Sequence, residues 1–167
     1  MKTFKEFILE QDETDEQEEE IVYEKGVYIS VQPTEITKNN IIKYMEKYLQ
    51  GEDTQPIDEL HCTISYSPQK HTGEVFSDEY TALATPKHFS LFNDDNSTLV
   101  LELESQLLDE RHNYFKTKYG LVDTYPEYKP HITIVPKIKN IDYNSLPPID
   151  FVIELNNETV QDLDTSK

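Results

Sequence analysis

Two stretches carry the same message: LHCTIS at residues 60–65 and PHITIV at residues 130–135. Each sets a histidine, one apolar residue, a threonine and an isoleucine in an apolar, largely β-branched run, the signature of a strand with one buried face. Residues i and i+2 of a strand share a face. His61 and Thr63 therefore point one way, and Cys62 and Ile64 the other. His131 and Thr133 likewise stand opposite Ile132 and Ile134. The chain has 5 histidines in all, so two of them in matching strands require an explanation.

The residues upstream of each motif also match. From Gly26, GVYISVQ alternates, with Val27, Ile29 and Val31 facing a core and Tyr28, Ser30 and Gln32 facing away. TKNNIIKYMEKYLQG then predicts a helix with an apolar stripe of Ile41, Ile42, Met45 and Leu49, Thr37 capping its start and Gly51 ending it. A loop with Pro56 leads to His61. In the second half TLVLELE alternates on Leu99, Leu101 and Leu103. SQLLDERHNYFKTKYG predicts a helix with Leu108, Phe115 and Tyr119 on one face and Gly120 at its C-terminal cap, and a loop with Pro126 and Pro130 leads to His131. First strand and histidine are 34 residues apart in one half (27 to 61) and 33 in the other (98 to 131). The chain reads as two copies of strand–helix–loop–strand. Residues 73–94 hold one or two further strands, and DFVIELN at 150–156 another. The expected fold is α+β: two pseudo-symmetric strand–helix–strand lobes, antiparallel sheets flanking a central cleft, helices outside.

Composition narrows the class. With 167 residues there is room for one domain. The formal net charge of -18 opposes long-range attraction to nucleic acid polymers and acidic membranes. Cys62 is the sole cysteine, which excludes an internal disulfide and fits a reducing compartment. No apolar run approaches the roughly 20 residues that span a bilayer, and the N-terminus lacks a secretory core. A soluble, intracellular protein is expected. In QDETDEQEEE, at 11–20, 7 of 10 residues are acidic, too dense a run of like charge to bury anything. Residues 1–25 therefore read as a leader and disordered acidic tether, and 26–167 as one bilobal domain.

Two imidazoles and two hydroxyls facing one cleft suit the splitting of a phosphodiester. A base takes the proton of the attacking oxygen, an acid protonates the leaving oxygen, and donors hold the non-bridging oxygens as charge builds. Histidine's ordinary pKa of roughly 6.5 lets a neutral and a protonated copy coexist near neutrality. The scheme requires no metal, and no carboxylate or second histidine stands at ligand spacing from His61 or His131; no metal or cofactor is expected. Tyr128 and Lys129, just before His131, are placed to reach a phosphate. His112 falls on the apolar stripe of its helix and reads as a packing residue; His71 and His88 have no partner in the pattern.

Paired H-x-T-hydrophobic motifs on a duplicated α+β unit resemble the 2H phosphoesterase superfamily over about residues 26–156. Within that span LHCTISYS, ATPKHF, LVLEL and YPEYKPHITI resemble the anti-CBASS nucleases of phages. The resemblance implies hydrolysis of 3′–5′ bonds in the cyclic di- and trinucleotides with which bacteria signal infection, without metal, by His61, Thr63, His131 and Thr133. It implies an adenine stacked on aromatic rings and read by a carboxylate. Tyr28 fits the first ring; Phe89 or Phe92 stands in for a tryptophan, which this chain lacks; Glu158, in NNETV, matches the carboxylate. The partner implied is a small cyclic nucleotide in the host bacterial cytoplasm, with no long nucleic acid and no membrane. MKTFKEFILE resembles the capsid-targeting leader of internal proteins of T4-like phages, cut by a prohead protease after a hydrophobic–x–Glu triplet. ILE at 8–10 would place the cut after Glu10 and the protein in the virion. The alternatives are another 2H activity (opening RNA 2′,3′-cyclic phosphates or cutting 2′–5′ oligoadenylates), a sponge that binds a cyclic nucleotide unchanged, and a structural internal capsid protein with a vestigial site.

Overall fold

The computed structural model describes residues 22–23, 26–69, 71–72, 74–123 and 125–163. The leader, its cleavage site at Glu10 and the acidic run lie outside the described residues. In chain order the elements are β1 (Val22–Tyr23), β2 (Gly26–Pro33), α1 (Glu35–Tyr48), β3 (Cys62–Ser67), β4 (His71–Thr72), β5 (Ala82–Phe92), β6 (Thr98–Glu104), α2 (Gln106–Tyr119), β7 (His131–Val135) and β8 (Ile153–Leu163). Single 3₁₀ turns at Ile57–Glu59 and Tyr143–Ser145 punctuate the loops. The region expected to be tether contributes β1, which pairs with β4 through Val22–Thr72 and Tyr23–His71.

Six strands close into a ring in the order β2-β3-β7-β6-β5-β8, every pair antiparallel. The ring is two three-stranded sheets, β3-β2-β8 and β7-β6-β5, joined at two seams. At one seam β3 and β7 meet through the single pair Cys62–Ile132. At the other, Ala82–Ala84 of β5 pair with Leu155–Ile153 of β8. β2-α1-β3 and β6-α2-β7 are the repeated units, and β8 and β5 add a third strand to each sheet. The alternation seen in the sequence sorts the faces. Val27, Ile29, Val31, Leu99, Leu101 and Leu103 are buried in the hydrophobic core with Ile41, Met45, Leu108 and Phe115 of the helices.

The helices reach across the repeat. Tyr44 of α1 packs its ring 5.7 Å from Phe89 of β5, in the second sheet. α2 sends Arg111 to Glu158 of β8 and His112 to the Ile64 carbonyl of β3, both in the first sheet. Each unit thus covers part of the other, so neither sheet has a complete core alone.

The Gly120 cap of α2 follows the expected chemistry, whereas both ends of α1 are shifted: its C-cap is Leu49, whose N–H donates to the Met45 carbonyl, and Gly51 lies in the turn beyond. Gly120 ends α2 in the left-handed conformation at φ 67°, which glycine adopts without a Cβ penalty. Ser105 caps its start, accepting from Leu108 N–H and donating to the Leu83 carbonyl. The N-cap of α1 lies three residues before the expected one: Thr34, directly after Pro33, accepts from Thr37 N–H. Thr37 is inside the first turn, and its hydroxyl accepts from Glu154 N–H of β8. Both threonines can cap; Thr37 is taken because its side chain is buried against β8.

Both histidine strands carry the same irregularity. Ile29 pairs with Ser65 and Ser30 with Thr63, which leaves Ile64 as an extra residue. Leu99 pairs with Val135 and Val100 with Thr133, which leaves Ile134 as an extra residue. These are β-bulges, which bend a strand and change which way its following side chains point. Burial records the change: Ile64 and Ser65 are both buried, as are Ile134 and Val135, while Tyr66 turns away from the core. Simple alternation would have put Tyr66 in the core and Ser65 and Val135 on the open face.

Gly26 opens β2 hard against the end of β3, where a Cβ would collide with the Ser67 carbonyl oxygen and the Pro68 backbone. Gly26→Ala is expected to lower unfolding stability by about 1–3 kcal/mol through overpacking, measured by chemical denaturation; an unchanged midpoint would show that this approach is not close in solution.

Candidate active site

His61 and Thr63 stand on the inner face of the first sheet, and His131 and Thr133 on the inner face of the second. All four are partly exposed, whereas Cys62, Ile64, Ile132 and Ile134 between and beside them are buried. The Cys62–Ile132 pair brings the two motifs together. In an antiparallel register centred there, His61 lies across from Thr133 and His131 across from Thr63. Residues facing each other across such a pair have Cβ atoms about 4.5–5.5 Å apart, and diagonal neighbours, as the two histidines are, about 7–8 Å.

The two imidazoles are held alike. Nδ1 of His61 donates to the Glu59 carbonyl and Nδ1 of His131 to the Lys129 carbonyl, each at 2.8 Å and each two residues upstream. A carbonyl only accepts, so Nδ1 carries the hydrogen in both rings, and Nε2 is the nitrogen left for chemistry. An aromatic ring meets each imidazole edge-on: Tyr28 at 6.1 Å from His61, and Phe92 at 4.7 Å from His131. The Tyr28 hydroxyl is hydrogen-bonded to Thr63 Oγ1 at 3.0 Å. Burial pushes its pKa up, against the opposing effect of that hydrogen bond.

The flanking residues break the symmetry. Glu102 of β6 pairs in register with His131 on one side and His88 on the other. Its carboxylate accepts from Ser90 Oγ at 2.5 Å and lies 3.4 Å from His88 Nε2. Burial raises its pKa, but the Ser90 hydrogen bond and the charges of His88 and Lys129 outweigh that and hold it below the usual carboxylate range. In the first unit the equivalent position is Gln32. It precedes His61 by 29 residues as Glu102 precedes His131, and it pairs with Asn156 of β8. A cavity of about 470 Å³ opens beside these carboxamides, lined also by Thr34, Lys38 and Asn157. One imidazole therefore has an acidic neighbour and the other a neutral one. The 29-residue offset is present in the sequence, but no motif marks Gln32 and Glu102 as a matched pair. Tyr66, turned to the inner face by the bulge and 6.1 Å from Tyr28 ring to ring, was hidden by the alternation rule.

Other expected positions lie elsewhere. Phe89 pairs with Leu101 on the core face and packs on Tyr44, so of the two phenylalanines only Phe92 flanks the histidines. Lys129 is exposed and contributes its carbonyl to His131. Tyr128 turns its hydroxyl inward to donate to the Thr63 carbonyl at 2.8 Å, beneath the inner face and not toward a phosphate. The Glu158 side chain is 0% exposed, gripped by both Arg111 Nε (2.8 Å) and Arg111 Nη2 (2.7 Å), and it also accepts from Asp78 N–H. Arg111 in turn lies over the rings of Tyr80, Tyr114 and Phe115. Breaking such a buried pair costs about 3–5 kcal/mol, so Glu158 serves as a tie between β8 and α2, not as a carboxylate open to a base. Cys62 is fully buried, and burial pushes its thiol up to about 12, so it offers no thiolate.

A model of the family described as Anti-CBASS protein Acb1 matches residues 25–167. The chain belongs to that family. It is similar to the anti-CBASS protein Acb1 of Yersinia phage phiR1-RT, 29% identical over 120 residues, covering 71% of this chain and 76% of that protein. It is also similar to the one of Enterobacteria phage T4, 26% identical over 133 residues, covering 79% and 86%. Among solved structures it is similar to E. coli LigT complexed with 3′-AMP (TM-score 0.57, 12% identity, 87% of this chain and 91% of that one) and with phosphate (TM-score 0.56, 13%, 84% and 88%). The fold expected from the sequence, the α+β arrangement of 2H phosphoesterases, is the one observed.

Burial holds the pKa of His131 below the ordinary 6.5, assisted by the charge of His61 and opposed by the Lys129 carbonyl and Glu102. An NMR titration of the His131 ring is expected to give a midpoint below 6.5, and Glu102→Gln, which removes the supporting charge, to move it lower still. A midpoint that stays put or rises in the variant would show that the two side chains are not coupled.

Proposed function

We propose that this protein is a metal-independent phosphodiesterase that cuts 3′–5′ bonds of cyclic di- and trinucleotide second messengers and so counters CBASS defence in the host bacterium. The observation that carries the reading is the pair of imidazoles, each held with Nδ1 on a carbonyl, on the two strands that the Cys62–Ile132 pairing joins. Membership of the anti-CBASS family supplies the biological setting, and the formal charge of -18 favours a small ligand over a polymer.

The proposed reaction uses the ligand's own 2′-hydroxyl. One Nε2 takes its proton as the oxygen attacks phosphorus. The bond to the 5′-oxygen breaks, and the other Nε2, protonated, gives its hydrogen to that leaving oxygen. Thr63 and Thr133 donate to the non-bridging oxygens, where negative charge grows. The product end is a 2′,3′-cyclic phosphate, which water opens when the two imidazoles exchange roles. Tyr28 and Phe92 provide ring edges beside the reacting centre, and their place next to His61 and His131 suits contact with the flanking nucleoside.

Turnover of cyclic di- and trinucleotides in the presence of a chelator, with products identified by mass, tests the proposal. Each of His61→Ala and His131→Ala is expected to lose about 10²–10⁴-fold in kcat while retaining ligand binding. Recovery of intact ligand from the wild-type complex would replace the enzyme with a sponge. Products only from linear 2′–5′ or terminal 2′,3′-cyclic substrates would assign another 2H activity, and near-wild-type turnover in the double variant would refute catalysis by this pair.

A further inference from the structure

We infer that Tyr128 and His112 are positioning residues: from the second unit they clamp the bulge of the first histidine strand and so aim Thr63 and His61 at the reacting phosphate. The inference rests on the reaction proposed above and extends it to residues that do not touch the ligand.

A bulge interrupts the ladder, so its carbonyls need partners from outside the sheet. Each is served by the opposite unit. In β7 the Ile134 carbonyl accepts from Gln55 N–H, of the loop before β3, at 2.7 Å. In β3 the Ile64 carbonyl accepts from His112 Nδ1, on α2, at 2.7 Å. The neighbouring Thr63 carbonyl accepts from the Tyr128 hydroxyl. The two clamping rings lie flat on each other, 4.2 Å apart with planes 1° from parallel. Asp123 completes the arrangement: Oδ1 sits 3.0 Å from His112 Nε2, and Oδ2 takes Lys116 Nζ at 3.1 Å.

The consequence for catalysis is geometric. Thr63 and Ile64 are consecutive, and both of their carbonyls are held by side chains of the second unit. Displacement of this backbone segment would shift the Thr63 Cα, and with it the hydroxyl that Tyr28 also holds, and would shift His61, two residues upstream. The segment that ends at His131 therefore holds the strand of His61, and the two motifs are phased against each other. The clamps differ in kind: the backbone amide of Gln55 serves β7, whereas side chains serve β3 and can be removed one at a time.

Steady-state kinetics on the full chain test this with three variants. Tyr128→Phe keeps the ring and removes the donor to Thr63; His112→Leu removes the donor to Ile64; His112→Asn restores an N–H donor near Nδ1. An error of an ångström in such an array costs up to about 10²-fold. Tyr128→Phe and His112→Leu are expected to lose about 10- to 100-fold in kcat with KM within about twofold, while His112→Asn recovers most of the loss. Wild-type kcat in folded Tyr128→Phe, or His112→Asn no better than His112→Leu, would overturn the inference; should His112→Leu not fold, Tyr128→Phe decides. If the wild-type chain turns over no cyclic nucleotide, the proposed reaction fails, and amide hydrogen exchange at Ile64 and Ser65 still reads the clamp. Exchange faster in Tyr128→Phe than in wild type supports it, and equal exchange refutes it.

Discussion

One backbone pairing governs the site. Cys62 and Ile132, both 0% exposed, join the two sheets at a single point of the ring. Because side chains alternate across a strand, the burial of these two residues obliges their neighbours His61, Thr63, His131 and Thr133 to face the opposite way. Because the pairing is antiparallel, each histidine falls across from the other unit's threonine. A slip of one residue would send the polar groups into the core and the apolar ones into the cleft. Hydrophobic burial thus sets the position of a polar site that contributes nothing to the core.

Symmetry explains how one array acquires two of everything, and the departures from symmetry give the two halves different surroundings. Gln32 and Glu102 occupy matching places, yet one is neutral and the other charged. Around Glu102 stand Ser90, His88 and Lys129, so the carboxylate of this acidic chain is locally compensated at the one place where an anionic ligand is proposed to bind. Surface charge beyond about 8–10 Å is screened at ordinary salt, and a small ligand inside the groove meets chiefly these local groups. A polymer running out over the body would meet the uncompensated acid, which is a physical reason to favour the small ligand in the proposed reaction.

Much of this was legible because alternation and repetition are strong signals. The strand–helix–loop–strand order, the core faces of β2 and β6, the Gly120 cap and the shared face of each histidine and threonine all follow from period and spacing. Legibility stopped at the bulges. Nothing in CTISYS or ITIV announces an extra residue, and beyond that point the alternation rule assigns Ser65, Tyr66 and Val135 to the wrong faces. Contacts between units were equally silent: Tyr128 looked like a loop residue beside a phosphate site, and Glu158 like an open carboxylate. Their partners, the Thr63 carbonyl and Arg111, are 65 and 47 residues away in sequence. His112 was legible as a packing residue from its stripe, but not the carbonyl it serves.

The most direct measurement is a crystal structure of the protein with a 2′-deoxy cyclic dinucleotide, which lacks the attacking hydroxyl and so stays intact. One phosphate is expected between the two imidazoles, within hydrogen-bond reach of His61 Nε2 and His131 Nε2, its non-bridging oxygens on the hydroxyls of Thr63 and Thr133. A ligand whose phosphates contact only one of the histidines, or lie outside the inner face of the ring, would contradict a single reacting centre shared by the two units.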